Sequence, residues 1–144
     1  MTVAHWLMKS EPDAYSWDDL VREGHGMWDG VRSHAAARNL RDMAVGDEAF
    51  FYHSVIGKEV VGVMRIVEAA FADPTAGDGS PWVAVRVEPV ARLCQPVTLA
   101  TIKADPAMAD NKLVRQSRLS VVPFTDEEWA HVLALGKGVA VARK

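Results

Sequence analysis

Three consecutive stretches between residues 48 and 94 constrain the fold more than any other part of the chain. EAFFYHS, EVVGVMRIVEAA and PWVAVRVEPVARL are crowded with valine, isoleucine and aromatic residues, and glycine or proline punctuation separates them. β-branched and aromatic side chains suit a pleated, half-buried surface, so the three read as long strands. The break around Ile56–Lys58 is short enough for a hairpin, whereas ADPTAGDGSP, between the second and third runs, reads as a surface loop. Gly62 falls inside the second run, where a residue without a side chain predicts a bulge or bend that curls the sheet. A closed or half-closed barrel is the expected result.

The remaining segments fit around such a sheet. HWLMK is a short strand, and SWDDLVREG a short helix with Ser16 as its N-cap, Asp18 and Asp19 in the first turn, and Gly24 or Gly26 as its stop. GMWDGVR reads as a glycine-flanked loop, and SHAAARNLRDM as a helix that starts at Ser33. TLATIKAD, capped by Thr98, and NKLVRQ are small helical stretches; RLSVVPF is a last strand; TDEEWAHVLAL is a helix capped by Thr125. The expected fold class is α+β, a mixed β-barrel of about five or six strands with flanking helices, in one domain spanning residues 1–144.

Composition narrows the function classes. No apolar run approaches the roughly 18–20 residues that span a bilayer, and the start of the chain lacks the pattern of a signal peptide, so no membrane partner is expected and a cytoplasmic location is. The one cysteine, Cys94, excludes an internal disulfide and reads as a small buried core residue. A net charge of −3 argues against a protein that coats duplex phosphate. Residues 32–41, RSHAAARNLR, nevertheless hold three arginines and no acid, and residues 111–120, NKLVRQSRLS, hold one lysine, two arginines and no acid. If these windows meet, Arg32, Arg38, Arg41, Lys112 and Arg115 form a local positive surface for phosphates. Solvated helix and loop faces explain the same pattern without a ligand.

Phosphate-binding loops, dinucleotide fingerprints, zinc motifs and nucleophile elbows are absent, and the five histidines lack ligand spacing, so neither a metal nor another cofactor is expected. What remains is polar residues at strand mouths: Lys9, Ser10 and Glu11; Tyr52, His53 and Ser54; Arg118 and Ser120. Trp28 stands among them on a loop, where an indole either packs beneath the sheet or offers a flat face. Trp6, Trp17, Trp82 and Trp129 have apolar neighbours and read as core. An aromatic wall beside hydroxyl partners and arginines suits one unstacked nucleobase, and suits a small aromatic metabolite as well.

In order and spacing, WLMKSEP, YSWDDL, WDGVR, RNLRDMAVGDEAFFYHS, PVTLATIKADPAMAD and LVRQSRLSVVPFT resemble the EVE domain family, which includes the thymocyte nuclear protein group. The resemblance covers essentially the whole chain, which is similar to stand-alone members of bacterial type. It implies a PUA-like barrel related to YTH domains, and binding of a modified base in nucleic acid, modified cytosine in DNA or else modified RNA, without turnover. Carried over by position, it implies Lys9 and Ser10 at the pocket edge, Trp28 as a stacking wall continued by Val31 and Arg32, and Tyr52, His53 and Ser54 opposite. Arg118 and Ser120 would close the site. Where the family often reads VRNYQARNNLR this chain reads VRSHAAARNLR, so polar reach is lost at Ser33, Ala35 and Ala37. Ser117 likewise stands where glycine is common.

Two rival readings follow from the same residues. One is an enzyme acting on a base or nucleotide, with Lys9, Glu11 or His53 as acid or base. The other is a small-molecule sensor or interaction module. No motif encodes an oligomeric state, and a monomer is the default expectation.

Overall fold

The computed structural model describes residues 3–140, and the ends of the expected domain, residues 1–2 and 141–144, lie outside the described residues. One six-stranded mixed sheet organises the chain. Its strands are β1 (His5–Ser10), β2 (Gly26–Trp28), β3 (Glu48–His53), β4 (Glu59–Ala72), β5 (Val83–Thr98) and β6 (Val121–Phe124). They lie in the order β2-β5-β4-β3-β1-β6. The β3–β4 pair is antiparallel, as its short connection allows, β4 and β5 are antiparallel across the loop of residues 73–82, and β1 runs parallel to β3. The helices are α1 (Trp17–Glu23), α2 (His34–Asp42), α3 (Leu99–Ala104), α4 (Lys112–Arg115) and α5 (Asp126–Leu135).

The caps form where side-chain chemistry demands them. Ser16 accepts the Asp19 amide while the Asp19 carboxylate accepts the Ser16 amide, and Thr125 and Glu128 repeat the reciprocal pair at α5. Gly24 ends α1 at φ 81°, a conformation that costs glycine nothing.

The strands form one row with β2 and β6 at its edges, and among the described residues those edges do not pair, so the sheet is not a closed barrel. Register shifts flank Gly62, and a methyl built on Gly62 would lie 2.5 Å from the Trp17 ring. Glycine is therefore required less for flexibility than for space: the indole of α1 occupies the volume a side chain would take.

Two expectations need correction. Residues 26–28 of the presumed loop form β2, which pairs antiparallel with β5 through Gly26–Val87, Met27–Arg86 and Trp28–Val85. Three residues are too few to display alternation, and pairing with the long β5 edge supplies what the sequence pattern does not. Cys94 is exposed instead of buried. It follows the buried Leu93 on β5, and successive side chains on a strand point to opposite faces.

That alternation also sorts the aromatic core. On one face of β3, Phe50 stacks on Trp129 of α5 at 3.8 Å and meets Phe124 edge-on. On the other face Phe51 is a hub, with Trp17, Trp28 and His53 packed edge-on at ring distances of 5.7, 5.3 and 5.5 Å. Trp6, Trp17 and Trp129 belong to the core as expected, but Trp82 is only half-buried. It lies tilted against His34 at 4.8 Å, with the Arg32 guanidinium 6.0 Å above its ring. Its place at the end of a long loop, before β5 begins, leaves one side uncovered.

Candidate functional site

The strand mouths converge because β1 lies between β3 and β6. Parallel register sets Lys9 beside Tyr52 and Ser10 beside His53, and the Ser54 amide donates to the Ser10 carbonyl at 2.9 Å. On the other side of β1 the Lys9 amide donates to the Ser120 carbonyl at 2.9 Å. Lys9, Ser10, Tyr52, His53, Ser54 and Ser120 are thus held at one end of the sheet by backbone bonds alone.

Their side chains divide between the two faces. Lys9 follows the side of Tyr52: its Nζ lies 5.8 Å from the centre of the Tyr52 ring and donates to the Ser117 carbonyl at 2.9 Å. Burial holds the Lys9 ammonium below its usual pKa and pushes the Tyr52 phenol up to about 12. Ser10 and His53 share the opposite side with Phe51. The Ser10 hydroxyl donates to the Tyr15 carbonyl at 2.6 Å, and His53 Nε2 accepts the Trp17 amide at 3.1 Å. Trp28 meets the same Phe51 ring, so Ser10, His53 and Trp28 belong together, with Lys9 and Tyr52 behind them.

His53 is consequently a neutral acceptor, and its engaged Nε2 is not free to serve as a general base. Burial lowers its pKa below the ordinary 6.5, outweighing the opposing carboxylates of Glu59 and Asp18. Because the folded state favours the neutral ring, this contribution to stability is fully present above pH 6.5 and is lost as pH falls through the lowered folded value. An NMR titration of the imidazole should show a midpoint below 6.5, and His53→Gln, which keeps an acceptor, should remove the matching slope from the stability profile. A midpoint at or above 6.5 would contradict the buried-acceptor role.

The two basic windows meet. Asn39 of α2 donates to the Val121 carbonyl of β6 at 2.7 Å, and a groove of about 350 Å³ opens between Ser33 and Ala35 on one side and residues Gln116–Leu119 on the other. The cations are unequally available. Arg32 binds Asp73, Arg115 binds Asp110, and Arg41 donates to the Pro81 carbonyl. Arg38, Lys112 and Arg118 are exposed, with no hydrogen-bond or ion-pair partner among the described residues. Of the departures noted in α2, Ala35 lines the groove and Ala37 is fully buried.

Asp73 is the residue that sequence reading missed. Its carboxylate is wholly buried and accepts from the Gly30 amide at 2.9 Å, Arg32 Nη1 at 3.0 Å, the Thr75 amide at 2.7 Å and the Thr75 hydroxyl at 2.6 Å. Those bonds overcome the cost of burial and hold its pKa well below the carboxylate range. The D-P-T sequence signals a turn in which Asp bonds the amide two residues on, but nothing in it announces the tie to Gly30 and Arg32. Through that tie, Asp73 fastens the segment carrying Trp28 and Val31 to the β4–β5 loop. Phe51, the shared floor, was legible only as a strand residue.

A six-stranded mixed sheet that is not closed, with helices packed around it, is the fold of the PUA-like class of domain. The chain belongs to the EVE domain family, whose profile matches residues 4–135. It is similar to thymocyte nuclear protein 1 of Homo sapiens, 33% identical in a gapped alignment 165 positions long that covers 92% of this chain and 73% of the relative. Among solved structures, a Rhodopseudomonas palustris protein determined by NMR is 47% identical with a TM-score of 0.88, and 94% of each chain is covered. The human THYN1 protein, solved in complex with 5-methylcytosine-containing DNA, is 33% identical with a TM-score of 0.85, covering 93% of this chain and 98% of that one. No helix among the described residues is long and apolar enough to cross a membrane.

Proposed function

We propose that this chain binds a modified nucleobase in nucleic acid, foremost cytosine carrying a 5-methyl or related group in DNA, and does not transform it. The observations that carry the reading are the Trp28–Phe51–His53 cluster with Ser10 on its face of the sheet and the groove between Ser33 and Arg118, in a fold whose human relative was solved with 5-methylcytosine DNA. A base cannot enter such a site while stacked, so it is extruded or already single-stranded. Trp28 and Val31 supply the apolar wall, Ser10 and Ser120 the edge contacts, and Arg118 and Arg38 the charge that meets flanking phosphates. Arg32 acts mainly by holding the wall in place through Asp73. Lys9 fastens the Ser117 carbonyl at the rim. The engaged state of His53 Nε2 weighs against the enzyme reading.

The test is fluorescence anisotropy at fixed salt with oligonucleotides carrying one cytosine, 5-methylcytosine or 5-hydroxymethylcytosine, in DNA and in RNA. Burying one added methyl is worth about 0.8 kcal/mol, so methylated DNA is expected to bind about fourfold tighter than unmodified DNA. Arg118→Ala should weaken all the oligonucleotides together. Equal affinity for modified and unmodified bases would sink the proposal.

A further inference from the structure

The Lys9 face of β1 has a groove of its own. One part, about 350 Å³, is lined by Lys9, Tyr52, Lys58, Leu99, Lys103 and Ser117 among others; an adjoining part of about 450 Å³ shares Lys58, Leu99 and Lys103. Three lysines border this space and no carboxylate does. By contrast, Arg22, Arg32, Arg65, Arg86, Arg92 and Arg115 are each bound to an acid. Lys58 and Lys103 are exposed and have no hydrogen-bond or ion-pair partner among the described residues.

Lys58 is also held in position. It closes the β3–β4 hairpin in the left-handed region, at φ 49°, and its carbonyl accepts the Leu99 amide at 2.8 Å, which ties the hairpin to the start of α3. A non-glycine residue kept at positive φ is a local cost, borne only where the surroundings over-determine it. Lys103 stands on the other wall, on α3. Ser117 lines this groove and also the groove between α2 and Arg118, so the two adjoin at that residue near the end of β1.

We propose that the Lys58–Lys103 groove is a track for the phosphate backbone of a single nucleic-acid strand leaving the base site. The proposal rests on the base-binding reading for its ligand, but it assigns residues that lie on the opposite face of β1 from Trp28 and His53. Ammonium groups that no carboxylate pairs attract successive phosphates without reading sequence, and the half-buried Leu99, over the buried Tyr52, gives the sugar edge an apolar bed.

The experiment compares wild type with Lys58→Asn/Lys103→Gln, asparagine being a residue that tolerates positive φ. Circular dichroism and thermal unfolding confirm the fold, and Lys103→Gln alone serves if the double variant is destabilised. Single-stranded oligonucleotide binding is measured against salt. Each lost phosphate contact lowers the slope of log K against log salt by about 0.7, so the double variant should lose about 1.4 and the single variant about half of that. The preference for the modified base should be unchanged. A slope equal to that of wild type overturns the track, as does wild-type protein that binds no oligonucleotide. Inorganic phosphate or poly-glutamate competing as well as an oligonucleotide overturns it too, in favour of a small-anion or acidic-peptide site. If the slope falls while wild type shows no preference for modified cytosine, the base reading fails and the track stands.

Discussion

Trp28→Ala is expected to cost about 3–5 kcal/mol of stability, the range for removing a buried tryptophan or phenylalanine side chain. The indole is only 7% exposed and sits edge-on to Phe51, so alanine leaves a cavity against the aromatic hub. In denaturant unfolding the midpoint should fall with the slope nearly unchanged. Loss of ligand binding in this variant says little by itself, because the floor beneath the site goes with it. Trp28→Phe is the informative companion: it keeps an edge contact to Phe51, costs far less stability, and should reduce the preference for a modified base. An unfolding midpoint unchanged by Trp28→Ala would mean that the indole is not part of the core.

Asp73→Ala should be nearly as damaging, by about 2–4 kcal/mol. It removes the charged acceptor shared by the Gly30 and Thr75 amides, and hydrogen bonds to a charged group contribute roughly 1.5–3 kcal/mol. The Arg32 pair adds less, because that side chain is 41% exposed and water can replace the carboxylate. Asp73→Asn should not rescue, since its amide would present a donor to groups that already donate. The pH dependence has a definite sign. The folded pKa of Asp73 is depressed, so its contribution is present above the unfolded carboxylate value near 3.8 and is lost as pH falls through the folded value. Acid unfolding should therefore be flatter in the variant than in wild type. Base preference should fall as well, because Gly30 and Arg32 flank Val31 and follow Trp28. A variant with unaltered stability and unaltered preference would remove Asp73 from any positioning role.

Much of the fold was legible because it rests on local rules. Helix starts were set by Ser16, Ser33, Thr98 and Thr125, each of which caps as its chemistry requires. The three long strands followed from valine-rich runs with turn punctuation, and the bulge from a glycine inside one of them. Cys94 and Trp82 were misplaced because side-chain identity was allowed to outweigh strand parity and distance from the sheet.

The site was legible in part. Lys9, Ser10, Tyr52 and His53 were recognised as strand-end residues, but adjacent residues on a strand point opposite ways, and only the β1–β3 register shows which pairs share a face. Similarly, the meeting of the two basic windows needed α2 to pack on β6, and the neutralisation of Arg32 needed an aspartate 41 residues away.

The sequence by itself determined where the helices and every strand but β2 lie, that the register would be irregular at Gly62, and which family the chain resembles, because these depend on patterns a few residues long or on motif order. Only the tertiary structure decided which cations stay free, which side chains share the Phe51 hub, and that Lys58 and Lys103 border one groove. Those outcomes depend on pairing between distant segments, where a single carboxylate such as Asp73 or a single residue of register changes the result.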